Sequence, residues 1–397
     1  MSTQFTATVK PSSGDYTSLK DAAYGLANNI TAADIKVFSI SAYSTPTIAA
    51  GDTVLGQTSG ATGECVLVNA ARTQILIKTV AVASFLSGEK VQKTSDANVN
   101  VTLSNAGDSP IIGIECYSMS DNLGVQINAP WKTGASNYLR IYTPKSERHN
   151  GKWDDTKYKL EISVAYNTYC ISTGTAAYAK IDGLQISADA TSTNSLNGIG
   201  IPIYSPEFSH IEISNCIIKG INNNYGSAIY NNNSLGYIYN NIIYDFTNID
   251  LPSYGIYTHT TTNMYIYNNT FINCDYGVRG TSFTLLKNNL FYLCSIAPTL
   301  NATAANCGYN STDAASLGYV SQTGDRTSQI FTFVNELNDD FHLAISDTGA
   351  RTHGLTDPSA GLFLDDIDGQ MRPINGWDIG ADQISTCPGI GILFTVQ

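Results

Sequence analysis

Short apolar runs recur along this chain on a fixed template instead of a helical period. Four segments align without gaps: Ile213-Ser-Asn-Cys-Ile-Ile218, Ile238-Tyr-Asn-Asn-Ile-Ile243, Ile266-Tyr-Asn-Asn-Thr-Phe271 and Leu286-Lys-Asn-Asn-Leu-Phe291. The third position is always Asn, at Asn215, Asn240, Asn268 and Asn288, giving intervals of 25, 28 and 20 residues. A degenerate earlier copy, Ile181-Asp-Gly-Leu-Gln-Ile186, carries Gly183 there. A second series runs out of phase with the first: Asn197-Gly-Ile-Gly-Ile201, Tyr225-Gly-Ser-Ala-Ile-Tyr230, Tyr254-Gly-Ile-Tyr257 and Tyr276-Gly-Val278. Self-similarity at such a period is the mark of a solenoid. Each rung is expected to hold one strand ending in an apolar residue, a tight turn, and another short strand. Asn and Gly share the turn because both tolerate a left-handed backbone. The next site holds Asn241, Asn269 and Asn289, which stacked one strand spacing apart predict a structural amide ladder. Ile221, Phe246, Cys274 and Cys294 fall at a further shared position, predicting a core column. An Asn-rich β-sandwich would not repeat one motif at one turn position.

Upstream, the pattern changes. Leu19, Ala22, Ala23 and Leu26 make one apolar face over 16–26, with Thr17 or Ser18 placed to cap it, so this stretch predicts a helix that plugs the open end of the solenoid. Short strand-like runs follow at Gly51-Asp-Thr-Val54, Glu64-Cys-Val-Leu-Val68, Gln74-Ile-Leu-Ile-Lys78, Glu89-Lys-Val-Gln92 and Val99-Asn-Val-Thr-Leu103, with Thr58-Ser-Gly-Ala-Thr-Gly63 as a turn. They predict a compact, barrel-like insert. The expected organisation is a cap and first strands over 1–49, the inserted β domain over 50–104, the solenoid over 105–335 and a C-terminal cap or tail over 336–397. The expected fold class is all-β, a right-handed parallel β-helix with a helical cap.

Composition narrows the functions. Charged residues are 14% of the 397, while Tyr (24) and Gly (33) are abundant. The net charge of −12 argues against a nucleic-acid partner, which needs Lys and Arg for phosphate. No apolar run approaches the ~20 residues of a membrane-spanning helix, so no membrane partner is expected. The start, MSTQFTATVK, lacks a basic-then-apolar leader; either one was removed or the chain is made and used without the standard secretion route. The eight cysteines include no CxxC pair, so buried thiols are expected, with no metal site and no cofactor; calcium enters only through the spacing of Asp365, Asp366 and Asp368, where turn formation is the simpler role.

Two chemistries would need particular groups on an outer face of the rungs. Polysaccharide lyases need Arg or Lys as base, often beside calcium, and glycoside hydrolases need two flanking carboxylates. Within 211–295 the candidates are Asp275 as acid or base, Arg279 as a substrate clamp and His259 as an assistant; solvated turn residues are the alternative. In the loop Glu147-Arg148-His149 to Lys152-Trp153-Asp154-Asp155, Arg148 could hydrogen-bond a sugar that stacks on Trp153, or the loop could be held by local salt bridges. Tyr239 and Tyr267 share one position on adjacent rungs, and Tyr237 and Tyr265 another. If they face outward they form a carbohydrate platform or a subunit interface; simple rung stacking is the alternative.

These motifs carry resemblances. The solenoid, over roughly 10–45 and 110–385, resembles the pectate-lyase-like superfamily of parallel β-helices, and Gly14-Asp-Tyr-Thr-Ser-Leu19 resembles the opening of many members. The tail, Asp366-Ile-Asp-Gly369 through Arg372 to Asp378-Ile-Gly-Ala381, is similar to the end of a subset on bacterial surfaces and in phage sequences. The insert, with Gly51-Asp-Thr-Val54, Thr58-Ser-Gly-Ala-Thr-Gly63, Phe85 and Gly88-Glu89, resembles a small β domain common in tailed-phage structural proteins. Together these imply a non-enzymatic virion structural protein on the particle surface: a capsid decoration, fibre or spike, made in the host cytoplasm. Its partners would be other virion proteins, further copies of itself (a trimer being one assembly such proteins adopt) and surface glycans. The alternatives are a polysaccharide lyase or glycoside hydrolase, free (and then extracellular) or as a tailspike, and a bacterial surface adhesin.

Overall fold

A computed structural model describes residues 2–80, 83–164, 168–174, 178–190, 200–205, 210–221, 226–232, 234–248, 252–258, 263–280, 284–294 and 306–384. The chain is a right-handed parallel β-helix. Among the described residues its strands form three parallel sheets of nine, six and eight members. Among the described residues, six successive coils each contribute one short strand to every sheet. The first sheet runs from Ser2–Val9 and Ser109–Cys116 through Leu139–Tyr142, Tyr178–Asp182, His210–Ser214, Leu235–Tyr239 and Met264–Tyr267 to Leu285–Lys287 and Cys307–Gly308. Alternate side chains of the first-sheet strands point inward, so Ile114, Ile141, Ile181, Ile213, Ile238, Ile266 and Leu286 stack in a single column of the core.

The corner between the first and third sheets explains the repeat. Gly183, Asn215, Asn240, Asn268 and Asn288 all sit at positive φ, between 47° and 72°, where Cβ-bearing residues other than Asn and Asp are disfavoured. The following position forms a continuous hydrogen-bond chain. The amide oxygen of Asn269 accepts from Asn241 Nδ2 at 2.9 Å, that of Asn289 from Asn269 Nδ2 at 3.1 Å, and that of Asn310 from Asn289 Nδ2 at 3.1 Å. The ladder therefore reaches Asn310, past residue 300 where the sequence repeat fades. Cys274 and Cys294 are buried on neighbouring rungs, and burial raises the Cys294 thiol well above its ordinary range.

Residues Leu19–Gly25 form a helix capped by Ser18 Oγ, which accepts from Asp21 N–H at 3.0 Å. Its Leu19, Ala22 and Ala23 are buried in the solenoid core, and Trp131 Nε1 donates to Ala23 O. The inserted unit is a closed antiparallel barrel with its own core around Phe38, Val54, Cys65, Ile77 and Val91. It begins at Ile35, ahead of the expected boundary at 50. The strand Ile35–Tyr43 pairs over its first half with Gln74–Thr79 and over its second half with Asp96–Leu103, and that double pairing closes the barrel.

The C-terminal segment is a strap laid along the Asn corner. Asn240 Nδ2 donates to Asp365 O, Asn268 Nδ2 to Asp378 O and Gly380 O, and Asn288 Nδ2 to Leu355 O. Buried Arg372 donates to Asp365 O, Gly380 O, Ala381 O, Gln383 Oε1 and Asn240 Oδ1, knitting the strap to itself and to the corner.

Candidate functional site

Outward-facing positions of the first sheet build a groove. Registration puts Lys180 beside both Arg140 and Glu212, while Asp182 lies beside Tyr142 and Ser214. These side chains, with Tyr138 and Tyr239, floor a cavity of about 560 Å³. Phe363 and Asp365 of the strap form one wall, and Pro144, Lys145 and Arg148 contribute from the loop after Leu139–Tyr142. That volume falls in the range of ligand sites, and the lining mixes rings with convergent charges.

The charges pair within the groove. Asp182 accepts from Arg140 Nη2 at 2.8 Å, Arg148 Nη2 at 3.0 Å and Asn215 Nδ2 at 2.8 Å. Burial opposes its ionisation, yet the Arg148 guanidinium, the Asn215 amide and Arg140 together hold the carboxyl below its usual range. Glu212 meets Lys180 Nζ at 2.7 Å through Oε2 and the Tyr239 hydroxyl at 2.6 Å through Oε1. Lys145 pairs with Asp365 across the groove at 3.0 Å. Arg140 lies over the Tyr142 ring and Lys180 over Tyr138. A half-buried aromatic stripe borders the site: Tyr178 stacks on His210 at 4.7 Å, His210 meets Tyr237 at 5.5 Å, and Tyr237 stacks on Tyr265 at 4.7 Å.

The residues singled out from sequence are dispersed. Asp275 Oδ2 accepts from the backbone N–H groups of Asn248 and Ser253, tying down the preceding coil. Arg279 is exposed, lies over Tyr254 and Tyr276, and donates to the Tyr254 hydroxyl. The two therefore serve different partners. His259 lies outside the described residues. Arg148 and Trp153 do not form one sugar site: Arg148 is buried at the end of the groove, whereas Trp153 lines a separate cavity of about 420 Å³ with Lys219 and Asp339. Tyr239 and Tyr267 are not an exposed platform. They are 7% and 3% exposed because the strap covers them, with Phe363 stacked on Tyr239 at 4.6 Å. The half-exposed pair is Tyr237 and Tyr265. Asn241, Asn269 and Asn289 lie in the ladder described above. Asp366 is no open cation loop, since its carboxylate accepts from the N–H groups of Asp368, Gln370 and Gln383.

Sequence reasoning missed Arg140, Lys180, Asp182 and Glu212. The signal was present: aligning Ile181 with Ile213 places Lys180 and Glu212 at one outward position of adjacent rungs.

Residues 158–316 match the family described as right handed beta helix region. No curated protein and no solved structure matches the chain.

Proposed function

We propose that this chain is a non-enzymatic surface protein of a tailed-phage particle, and that the groove on its first sheet holds an acidic glycan without cutting it. The observation that carries the non-catalytic reading is the state of the two groove acids. A glycoside hydrolase needs one carboxylic acid ready to give a proton and one carboxylate facing the sugar. Here Asp182 is held ionised by two guanidiniums, and both oxygens of Glu212 are taken by Lys180 and Tyr239. The lining suits binding: its four cations, Arg140, Lys145, Arg148 and Lys180, outnumber its acids, Asp182, Glu212 and Asp365, beside Tyr and Phe rings in a chain of net charge −12. Acidic sugars offer carboxylates to the cations and apolar faces to the rings. The phage assignment is supported by the resemblance of the inserted barrel, which has its own core and is carried beside the first coil of a rigid solenoid. The aromatic stripe offers a face to neighbouring copies or virion proteins.

Mass spectrometry of purified particles tests the location: recovery at a copy number near that of the major capsid protein supports it, and absence from particles with free protein in the medium refutes it. Two acids on adjacent rungs favour a second reading, a polysaccharide lyase or glycoside hydrolase. Incubation of the full chain with a panel of acidic polysaccharides separates the two, because any release of reducing ends or unsaturated sugars that Asp182→Asn or Glu212→Gln abolishes would establish catalysis.

A further inference from the structure

Away from the groove, three segments converge on one small volume. The strand Asp340–Leu343 supplies His342, the turn after Asp366 supplies Asp368, and the strap end supplies Asp382; one ligand-type atom from each lies within 4.8 Å of the others. We propose that His342, Asp368 and Asp382 form a site for a divalent transition-metal ion, with zinc the best match, that staples the strap to the hairpin beneath it.

The arrangement has the parts such a site needs. Zinc accepts imidazole nitrogen and carboxylate oxygen at bonds of about 2.0–2.2 Å, which sets neighbouring ligand atoms about 3.3–3.5 Å apart in a tetrahedron. His342 Nε2 and Asp368 Oδ2 already stand 3.0 Å apart. The other ring nitrogen, Nδ1, faces Asp340 Oδ1 at 2.6 Å. Both ring nitrogens thus face carboxylates; a bound dication would take Nε2 in place of its proton while Asp340 keeps the proton on Nδ1, the usual second-layer support of a metal-bound histidine. Asp368 Oδ1 is shielded from solvent and has no protein hydrogen-bond partner. Asp382 is 5% exposed, and only one of its oxygens has a backbone donor assigned, Leu343 N–H at Oδ2. Gly151, at φ +70°, closes the near side; a Cβ there would lie 2.3 Å from His342 Nε2 and 2.5 Å from Asp368 Oδ1. Glycine at this position leaves the ligand atoms unobstructed. The local field is negative: the carboxyl groups of Asp340, Asp368 and Asp382 crowd one imidazole. A dication would relieve that crowding. One imidazole with two carboxylates favours zinc or manganese over calcium and magnesium, which prefer all-oxygen shells.

The test uses the full-length protein, stripped with a chelator and dialysed against zinc chloride. One zinc per chain by elemental mass spectrometry, with a raised unfolding temperature, is the expected result. His342→Ala and Asp368→Asn should each lose the bound zinc and the temperature rise. Asp340→Asn keeps all three ligands and should weaken affinity about 10–100-fold. Because a ligand variant could loosen the strap, the unaltered protein is also loaded with cobalt(II), whose visible bands should appear and then disappear on adding zinc. If the unaltered protein retains no stoichiometric zinc, the cluster only shares a proton between His342 and its carboxylates and the proposal fails. Zinc retained undiminished by both ligand variants would overturn it equally.

Discussion

Replacing Asn269 by Leu removes one rung of the amide ladder and nothing else of comparable polarity. Its Nδ2 donates to Ile238 O and Tyr267 O at 2.9 Å each and to Asn289 Oδ1 at 3.1 Å; its Oδ1 accepts from Asn241 N–H at 3.1 Å and Asn241 Nδ2 at 2.9 Å. The losses are unequal. Tyr267 O keeps the Asn240 N–H, Asn241 Nδ2 keeps Ile213 O and Tyr239 O, and Asn289 Oδ1 keeps the Asn269 N–H. The Asn241 N–H loses the acceptor that Asn269 Oδ1 supplies, in a corner where Asn241 and Asn269 are fully buried. An orphaned buried donor costs about 1–3 kcal/mol, and the remaining four bonds contribute about 1 kcal/mol each, so Asn269→Leu should destabilise the chain by about 5–7 kcal/mol. Equilibrium urea denaturation followed by far-UV circular dichroism measures this, with exposed Asn263→Ala as the control. A loss below about 1 kcal/mol, or one equal to the control, would show that the ladder is decorative and that hydrophobic stacking alone sets the register.

Other outcomes follow from single contacts. Gly183→Ala should destabilise by more than the ~1 kcal/mol of a left-handed alanine, because its Cβ would lie 2.1 Å from Arg148 Nε and push that guanidinium off Asp182; differential scanning calorimetry checks it. His149 is fully buried, with Nε2 at 2.9 Å from Asn215 O; burial and then Arg148 bring it down to about 4, against the milder opposing pull of Asp368 and Asp182. Its folded form thus stays neutral where the unfolded imidazole, near 6.5, takes a proton, so stability is complete above that value and drains as pH falls toward 4. Between about pH 7 and about pH 5 the wild type should lose about 2 kcal/mol more than His149→Gln, read from paired denaturation curves. Phe363→Ala should cost about 3–5 kcal/mol, expose Tyr239 and abolish glycan retention on an affinity column; unchanged retention would remove Phe363 from the groove wall.

The solenoid was legible because its stability depends on local rules repeated in register. A left-handed corner admits Asn or Gly, and an adjacent buried amide must be satisfied by its counterpart one rung away, so Asn215 to Asn289 announce both rules in the sequence. The capping helix was legible for the same reason, as Leu19, Ala22 and Ala23 fix a face and Ser18 a start. The groove was not. Its residues, Arg140, Lys180, Asp182 and Glu212, differ in kind at one stacked position, so no motif repeats; only register brings them together. Tyr239 and Tyr267 misled for a related reason. Alternation correctly points them out of the solenoid, but outward is not exposed when a distant segment such as 355–384 returns to cover that face.

That return makes the strap more than a cap. It binds the solenoid through the carboxamides of Asn240, Asn268 and Asn288, whose left-handed backbone turns them away from the core and leaves donors at regular intervals along one edge. A corner chosen for backbone geometry thereby becomes a docking track. The strap in turn supplies Phe363 and Asp365 to the groove wall, and Asp365 fixes Lys145 from the opposite side. The groove exists only where the strap lies, so its shape is set by the same turn residues that set the rungs. Loosening of the strap at Arg372 would alter the site without disturbing a single strand of the first sheet.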